Sequence, residues 1–163
     1  MAAGFKLDRI DRRILAALQA DARLTNQALS ERVALSPSAC LARVRRLEQE
    51  GVIQGYHARV DPFALGIGLV LYADITLEGH SPAELAAFEE AVLAVPQVVE
   101  ASHVTGSFDY ILKVVVAGMA EWTRIAEQLT SSGLGVDRIN THLVMRKPKV
   151  FVGYPVSEAA ERR

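Results

Sequence analysis

Ile10, Ile14, Leu15 and Leu18 recur at a spacing that puts them on one side of a helix. Asp8 is placed to cap that helix, and Asp8 and Asp11 both favour its positive end. Asp21-Ala22-Arg23 breaks the pattern, and Thr25 can cap a short second helix that buries Ala28, Leu29 and Val33. A tight turn at Ala34-Leu35-Ser36 leads to Ser36-Pro37, a cap followed by proline at the first helical position, where its missing N–H costs nothing. The spacing carries this third helix to about Glu50, with Gly51 placed to end it.

Residues 52–60 read as an extended segment ended by Asp61-Pro62, and over 62–68 the pattern changes. A domain boundary is expected there, giving an N-terminal domain over 1–60 and a second over 61–163. In the second, strand-like runs cover 69–77, 98–104, 110–116 and 136–145. Ser81-Pro82-Ala83-Glu84 is a capping box that opens a helix with Leu85, Phe88 and Val92 as its buried stripe, stopped by Pro96. Trp122, Ile125 and Leu129 mark another helix, closed near Gly133. The expected fold class is therefore α+β, with a helix-turn-helix domain followed by a ferredoxin-like βαββαβ domain. Its four-stranded antiparallel sheet has both helices on one face. The strand over 111–116 is apolar at nearly every position, which implies burial on both faces. A second copy of the sheet is the simplest cover, so a homodimer is expected. The tail over 147–163 is expected on the surface or against a neighbour.

The whole-chain net charge of −1 hides a division. Residues 1–60 carry ten basic and six acidic side chains, a net of +4, against eight and thirteen, a net of −5, over 61–163. Only the first part is suited to a polyanion. The single cysteine, Cys40, excludes an internal disulfide and a thiolate metal cluster. The N-terminus has no apolar core of signal-peptide length, and apolar stretches such as 67–73 fall far short of the ~20 residues of a membrane span, so a cytoplasmic protein is expected. His57, His80, His103 and His142 lack metal-ligand spacing, and neither a phosphate-binding loop nor a supported Ser-His-acid set is present. Metal, cofactor and catalytic residues are accordingly not expected, although the βαββαβ fold carries enzymes as well as binding proteins.

On the third helix, Cys40, Leu41, Val44 and Leu47 gather on about one third of the wheel. Ser38, Ala39, Ala42 and Arg46 lie opposite, with Arg43 and Arg45 on the flanks. Small residues near the helix start allow close approach to base edges, and arginines further along can reach guanines or phosphates. The candidate DNA-contacting set is Asn26, Gln27, Ser36, Pro37, Ser38, Ala39, Ala42, Arg43, Arg45 and Arg46. The same arginines also fit a solvated face paired with Glu48 and Glu50, a reading that the preceding turn and the charge division disfavour.

With L-S-P-S-x-C-L-x-R-V-R-R-L-E at 35–48, G-V-I-Q-G-Y at 51–56 and V-T-G-S-F-D-Y at 104–110, the chain resembles the Lrp/AsnC (feast/famine) transcription regulators from Leu7 to about Met145. The resemblance implies double-stranded operator DNA as a partner, sheet-to-sheet dimers that often assemble into octamers, and an amino-acid effector bound at subunit interfaces. It also makes the turn over 105–109 part of the effector site. Ser107 stands where some members carry an acidic residue, and the tail after Met145 is idiosyncratic, which leaves the identity of the effector open.

Read from its residues alone, Gly-Ser-x-Asp in a hairpin is as well an ordinary turn. As a site, Gly106 lets backbone N–H groups face a carboxylate, and Asp109 can accept from an ammonium group. The candidate effector set is Thr105, Gly106, Ser107, Phe108 and Asp109, with Asn140, Thr141 and His142 on the last strand as further lining. The expected function is a sequence-specific regulator responsive to an amino acid. An architectural DNA-wrapping protein without a ligand is the alternative.

Overall fold

The structure is a computed structural model that describes residues 5–156. The part of the expected tail over 157–163 lies outside the described residues. Contacts divide the chain into two units, Met1–Ala58 with Lys149–Arg163, and Arg59–Pro148.

The first unit holds α1 (Arg9–Ala20), α2 (Asn26–Val33) and α3 (Pro37–Gln49). Each begins at a side-chain cap read from the sequence. Asp8 and Asp11 form a reciprocal capping box, Thr25 accepts from the Ala28 N–H, and Ser36 accepts from the Ala39 N–H. Ala34 closes α2 in the left-handed region at φ 58°, a cost of about 1 kcal/mol for a residue with a Cβ. That turn sends α3 across α2. Ile14, Leu29, Val33, Cys40 and Leu47 are buried between the three helices, with Val44 half-buried against them. Cys40 is core, as its place on the wheel predicts, and burial pushes its thiol pKa up.

Beyond α3 the chain bends at 52–53 and over 54–60 joins neither a helix nor a strand. A ladder needs a partner, and among the described residues no strand takes that part.

The second unit follows the expected order: β1 (Leu69–Leu77), α4 (Pro82–Leu93), β2 (Val98–His103), β3 (Tyr110–Val116), α5 (Met119–Ser131) and β4 (Val136–Leu143), with a single 3-10 turn at Phe63–Leu65. All neighbours in the sheet order β2-β3-β1-β4 are antiparallel. α4 starts at the Ser81–Glu84 capping box. Alternate residues of β1 and β3, Leu71, Ala73, Ile75 and Leu77 with Tyr110, Leu112, Val114 and Val116, are buried beneath Phe88, Val92, Trp122, Ile125 and Leu129. On the opposite face Tyr72, Ile111, Lys113 and Val115 are half-buried within one chain. The run over 111–116 thus has one covered face and one open one.

The sequence division assigned the whole tail to the second domain, whereas contacts group it, from Lys149 on, with the helices. The physical tie is Gln19 on α1. Its amide takes the Tyr154 backbone on both sides, accepting from the N–H at 2.6 Å and donating to the carbonyl at 3.0 Å. Gly153 is held at φ 137°, and a Cβ there would fall 2.5 Å from the Gln19 Oε1.

Candidate DNA-reading and effector surfaces

Ser36, Pro37, Ser38, Ala39, Ala42, Arg45 and Arg46 are exposed on α3, and Arg43 is half-buried. The small-residue stripe predicted to face a groove is therefore bare. The Asn26 side chain, at the first position of α2, donates to the Pro37 carbonyl at 2.9 Å and so fixes the start of α3 against α2. Gln27 donates to Glu31 on its own helix.

The arginines are less alike than their adjacency implies. Arg43 Nη1 reaches Asp8 at 2.6 Å and Asp11 at 2.8 Å, while Arg46 Nη2 reaches the second Asp11 oxygen at 2.7 Å. Arg46 also lies over the Phe5 ring, 5.1 Å from its centroid, a cation–π geometry. Asp11 is fully buried, so its two guanidinium partners are what permit a carboxylate there. Burial opposes ionisation of Asp8, but the Asp11 N–H and the Arg43 fork outweigh it and hold its pKa below the usual carboxylate range. Among the described residues Arg45 has no carboxylate partner. Glu48, weighed from sequence as a partner for the arginines, instead accepts from the Tyr56 hydroxyl at 2.9 Å. Burial first, and Glu48 second, push that phenol up to about 12.

In the second unit Thr105, Gly106 and Ser107 are exposed and Phe108 and Asp109 half-buried, with Gly106 at φ 142° where a side chain is strained. Asp109 is committed within the fold. Its Oδ2 accepts from the Leu77 N–H at 2.8 Å, and its Oδ1 meets His80 Nε2 at 2.9 Å. The Leu77 N–H, ahead of His80, holds its pKa below the usual range. A carboxylate lowered in this way adds stability above its unfolded pKa, and the contribution is lost as pH falls through the native value. Asp109→Asn should therefore flatten the acid limb of the stability–pH curve of this unit, read by urea denaturation between pH 6 and pH 3. An unchanged limb would show that the Leu77 and His80 contacts carry nothing.

Beside the hairpin, Phe88, Glu89, Val92, Leu93, Ala101, His103 and Tyr110 line a groove of about 210 Å³. His103 stacks on Tyr110 at 4.6 Å, and the Tyr110 hydroxyl donates to Glu89 at 2.9 Å. Burial and then Glu89 push the Tyr110 phenol up to about 12. His80, His103 and Glu89 were not singled out from sequence as neighbours of this turn. The His80–Asp109 contact spans 29 residues and leaves no local signal.

The three β4 residues predicted as lining do not share one face. Thr141 faces the helices, where its hydroxyl accepts from Trp122 Nε1 at 2.9 Å. His142 lies on the open face against Asp74 at 2.7 Å. Asn140 pairs across from Asp74 and His142 from Tyr72, while Asp109 binds β1 at both the Leu77 N–H and the Ile75 carbonyl. Along β1, Asn140's partner is one position from the Ile75 contact and His142's is three, about 10 Å at ~3.4 Å per residue. Asn140 and His142 therefore share the open face, and Thr141 lies on the helix face.

Residues 7–54 match the winged helix-turn-helix DNA-binding family, and residues 70–152 match the Lrp/AsnC ligand binding domain. The chain belongs to the Lrp/AsnC family of transcriptional regulators. It is 42% identical over 146 residues, 90% of this chain and 89% of the relative, to the leucine-responsive regulatory proteins of Klebsiella pneumoniae and of Escherichia coli strain K12. Among solved structures it resembles a transcriptional regulator of Neisseria meningitidis in complex with L-methionine (TM-score 0.86, 32% identity, 93% of this chain and 97% of that one). It also resembles an AsnC family regulator of Agrobacterium tumefaciens (TM-score 0.85, 30% identity, 92% and 97%). As an Lrp/AsnC protein the chain is a DNA-binding transcriptional regulator with a ligand-binding domain, and the family is not an enzyme class. No helix among the described residues is long and apolar enough to cross a membrane.

Proposed function

We propose that this Lrp/AsnC regulator reads operator sequences through the N-terminal half of α3, self-associates through its open sheet face, and changes DNA affinity or assembly when an amino acid binds at the hairpin over 105–109. The observation that carries the DNA reading is the exposed stripe Ser38, Ala39 and Ala42 beside Arg45. Small side chains let the helix enter a major groove, and an unpaired guanidinium can fork onto a guanine edge. Asn26, Gln27, Ser36 and Pro37 border the helix start, where backbone N–H groups suit phosphate. Arg43 and Arg46 belong to the same surface, each with one terminal guanidinium nitrogen already on a carboxylate.

Self-association is supported by the half-buried Tyr72, Ile111 and Val115 on the open face and by the unpaired segment over 52–60, whose Val52, Tyr56 and Val60 are exposed. Such apolar surfaces are covered at low cost by a second copy. An amino-acid effector is supported by the exposed Gly106 turn and by the related Neisseria regulator, which was crystallised with L-methionine. Asn140, Thr141 and His142 on β4 complete the proposed effector set, with Asn140 opposite Asp74, next to the Ile75 carbonyl that takes the Asp109 N–H.

The experiment selects duplexes from a random-sequence pool with the wild-type protein, then measures affinity for a selected and a random duplex at matched salt, with and without each amino acid. Arg45→Ala should weaken the selected duplex by ~1–3 kcal/mol, roughly 5- to 150-fold, with a smaller loss on random duplex. Equal losses on both would move Arg45 from base reading to phosphate contact. Absence of any preference for selected over random duplex would overturn operator reading and favour a DNA-wrapping protein.

A further inference from the structure

The arginine pattern on α3 looks like a block of three cations, yet the structure neutralises two of them. Asp8, Asp11, Arg43 and Arg46 form one cluster in which two carboxylates meet two guanidiniums. Asp11 is its hub, with one oxygen on Arg43, the other on Arg46, and the Asp8 N–H closing the set at 3.1 Å. Its carboxylate is wholly buried, whereas Arg46 keeps 46% of its side chain exposed. A buried carboxylate stripped of its cations is strongly unfavourable, so the two forks are fixed in place rather than free to sweep the surface.

We infer that Asp11 is a positioning residue of the DNA-reading surface, which holds Arg43 and Arg46 back from indiscriminate phosphate binding and leaves Arg45 as the unneutralised cation of α3. The inference rests on the reading that α3 faces DNA. Its physical content is a division of labour. Sequence-independent affinity grows with every phosphate neutralised, whereas discrimination depends on groups held in register with base edges. A restrained Arg46 presents only its outer edge, at a set position. A released one adds affinity for any duplex.

Asp11→Asn keeps the shape of the side chain and removes its charge. Binding to the selected and the random duplex is measured across a salt series, alongside the thermal melt of the full chain. The expected result is tighter binding to random duplex, several-fold at low salt, with a log–log salt slope steeper by about one. The ratio of selected to random affinity should fall tenfold or more. A purely structural role would lower the melting temperature and weaken both duplexes in parallel, and that outcome overturns the inference, as does an unchanged slope. If Asp11→Asn does not fold, Asp8→Asn, at an exposed cap, removes one of the two carboxylates on Arg43, which keeps its bond to Asp11, and should steepen the slope by less than one with a smaller fall in the ratio. An unchanged slope in that variant overturns the inference equally. Failure of operator reading itself is told apart because it appears in the wild-type ratio, whereas the effect of Asp11 is the difference in slope between variant and wild type on random duplex.

Discussion

Leu47→Ala is expected to abolish binding to the selected duplex while leaving the sheet unit folded. Leu47 is fully buried on α3, in a core with only four other fully buried apolar residues, Ile14, Leu29, Val33 and Cys40. Truncating a leucine to alanine in such a site costs ~2–5 kcal/mol, because the transfer free energy is lost and the cavity only partly collapses. A core of this size rarely supplies more than ~3–5 kcal/mol, so one truncation consumes most of what holds the three helices together. The single tryptophan makes the outcome readable, because Trp122 sits in the sheet unit. Far-UV circular dichroism should show an early loss of helix, while Trp122 fluorescence keeps its wild-type urea midpoint. Sedimentation should remain that of the wild type, since the open face of the sheet is untouched. Duplex affinity within threefold of wild type would refute the first expectation, and wild-type sedimentation as a monomer would refute self-association.

Phe88→Ala should be the converse. Phe88 on α4 is fully buried, and its ring meets that of Tyr110 at 4.8 Å and a tilt of 47°. Loss of a buried phenylalanine costs ~3–5 kcal/mol, and the aromatic pair adds to it. With a urea dependence of ~1–3 kcal/mol per molar, the Trp122 midpoint should drop by roughly 1–5 M. The damage reaches function through Tyr110, whose ring supports His103 and whose hydroxyl holds Glu89 beside the hairpin. Amino-acid response should be lost, and Phe88→Leu, which refills most of the volume, should restore it. A midpoint within 0.3 M of wild type would contradict the place given to Phe88 in this core.

Both cores were legible because their signals are local. Ser36-Pro37 and Ser81-Pro82-Ala83-Glu84 announce helix starts within four residues, and the stripes behind them follow a fixed period. The ion cluster was not legible. Asp11 reads as a capping partner of Asp8, which it is, but its bonds to Arg43 and Arg46 cross 32 and 35 residues. A helical wheel treats each helix alone, so it showed Arg46 opposite the core without showing what α1 places beside it. The segment over 52–60 has strand-like residues, yet a ladder also needs a partner, which pattern alone does not supply. For Asn140, Thr141 and His142 the signal was present. Strand alternation sends neighbours to opposite faces, so Asn140 and His142 share one face and Thr141 takes the other. The geometry bears this out, with Thr141 on Trp122 and His142 on Asp74.

The tie between Gln19 and Tyr154 makes the helical unit discontinuous in the chain. Translation has to add Arg59–Pro148 before the segment that docks on α1 emerges. At ~5–20 residues per second that interval lasts on the order of 5–20 s, during which a nascent reader exists with its Gln19 patch bare. Newly made copies therefore pass through a stage in which the helices are assembled but unclasped, and the clasp closes only after the sheet has been synthesised.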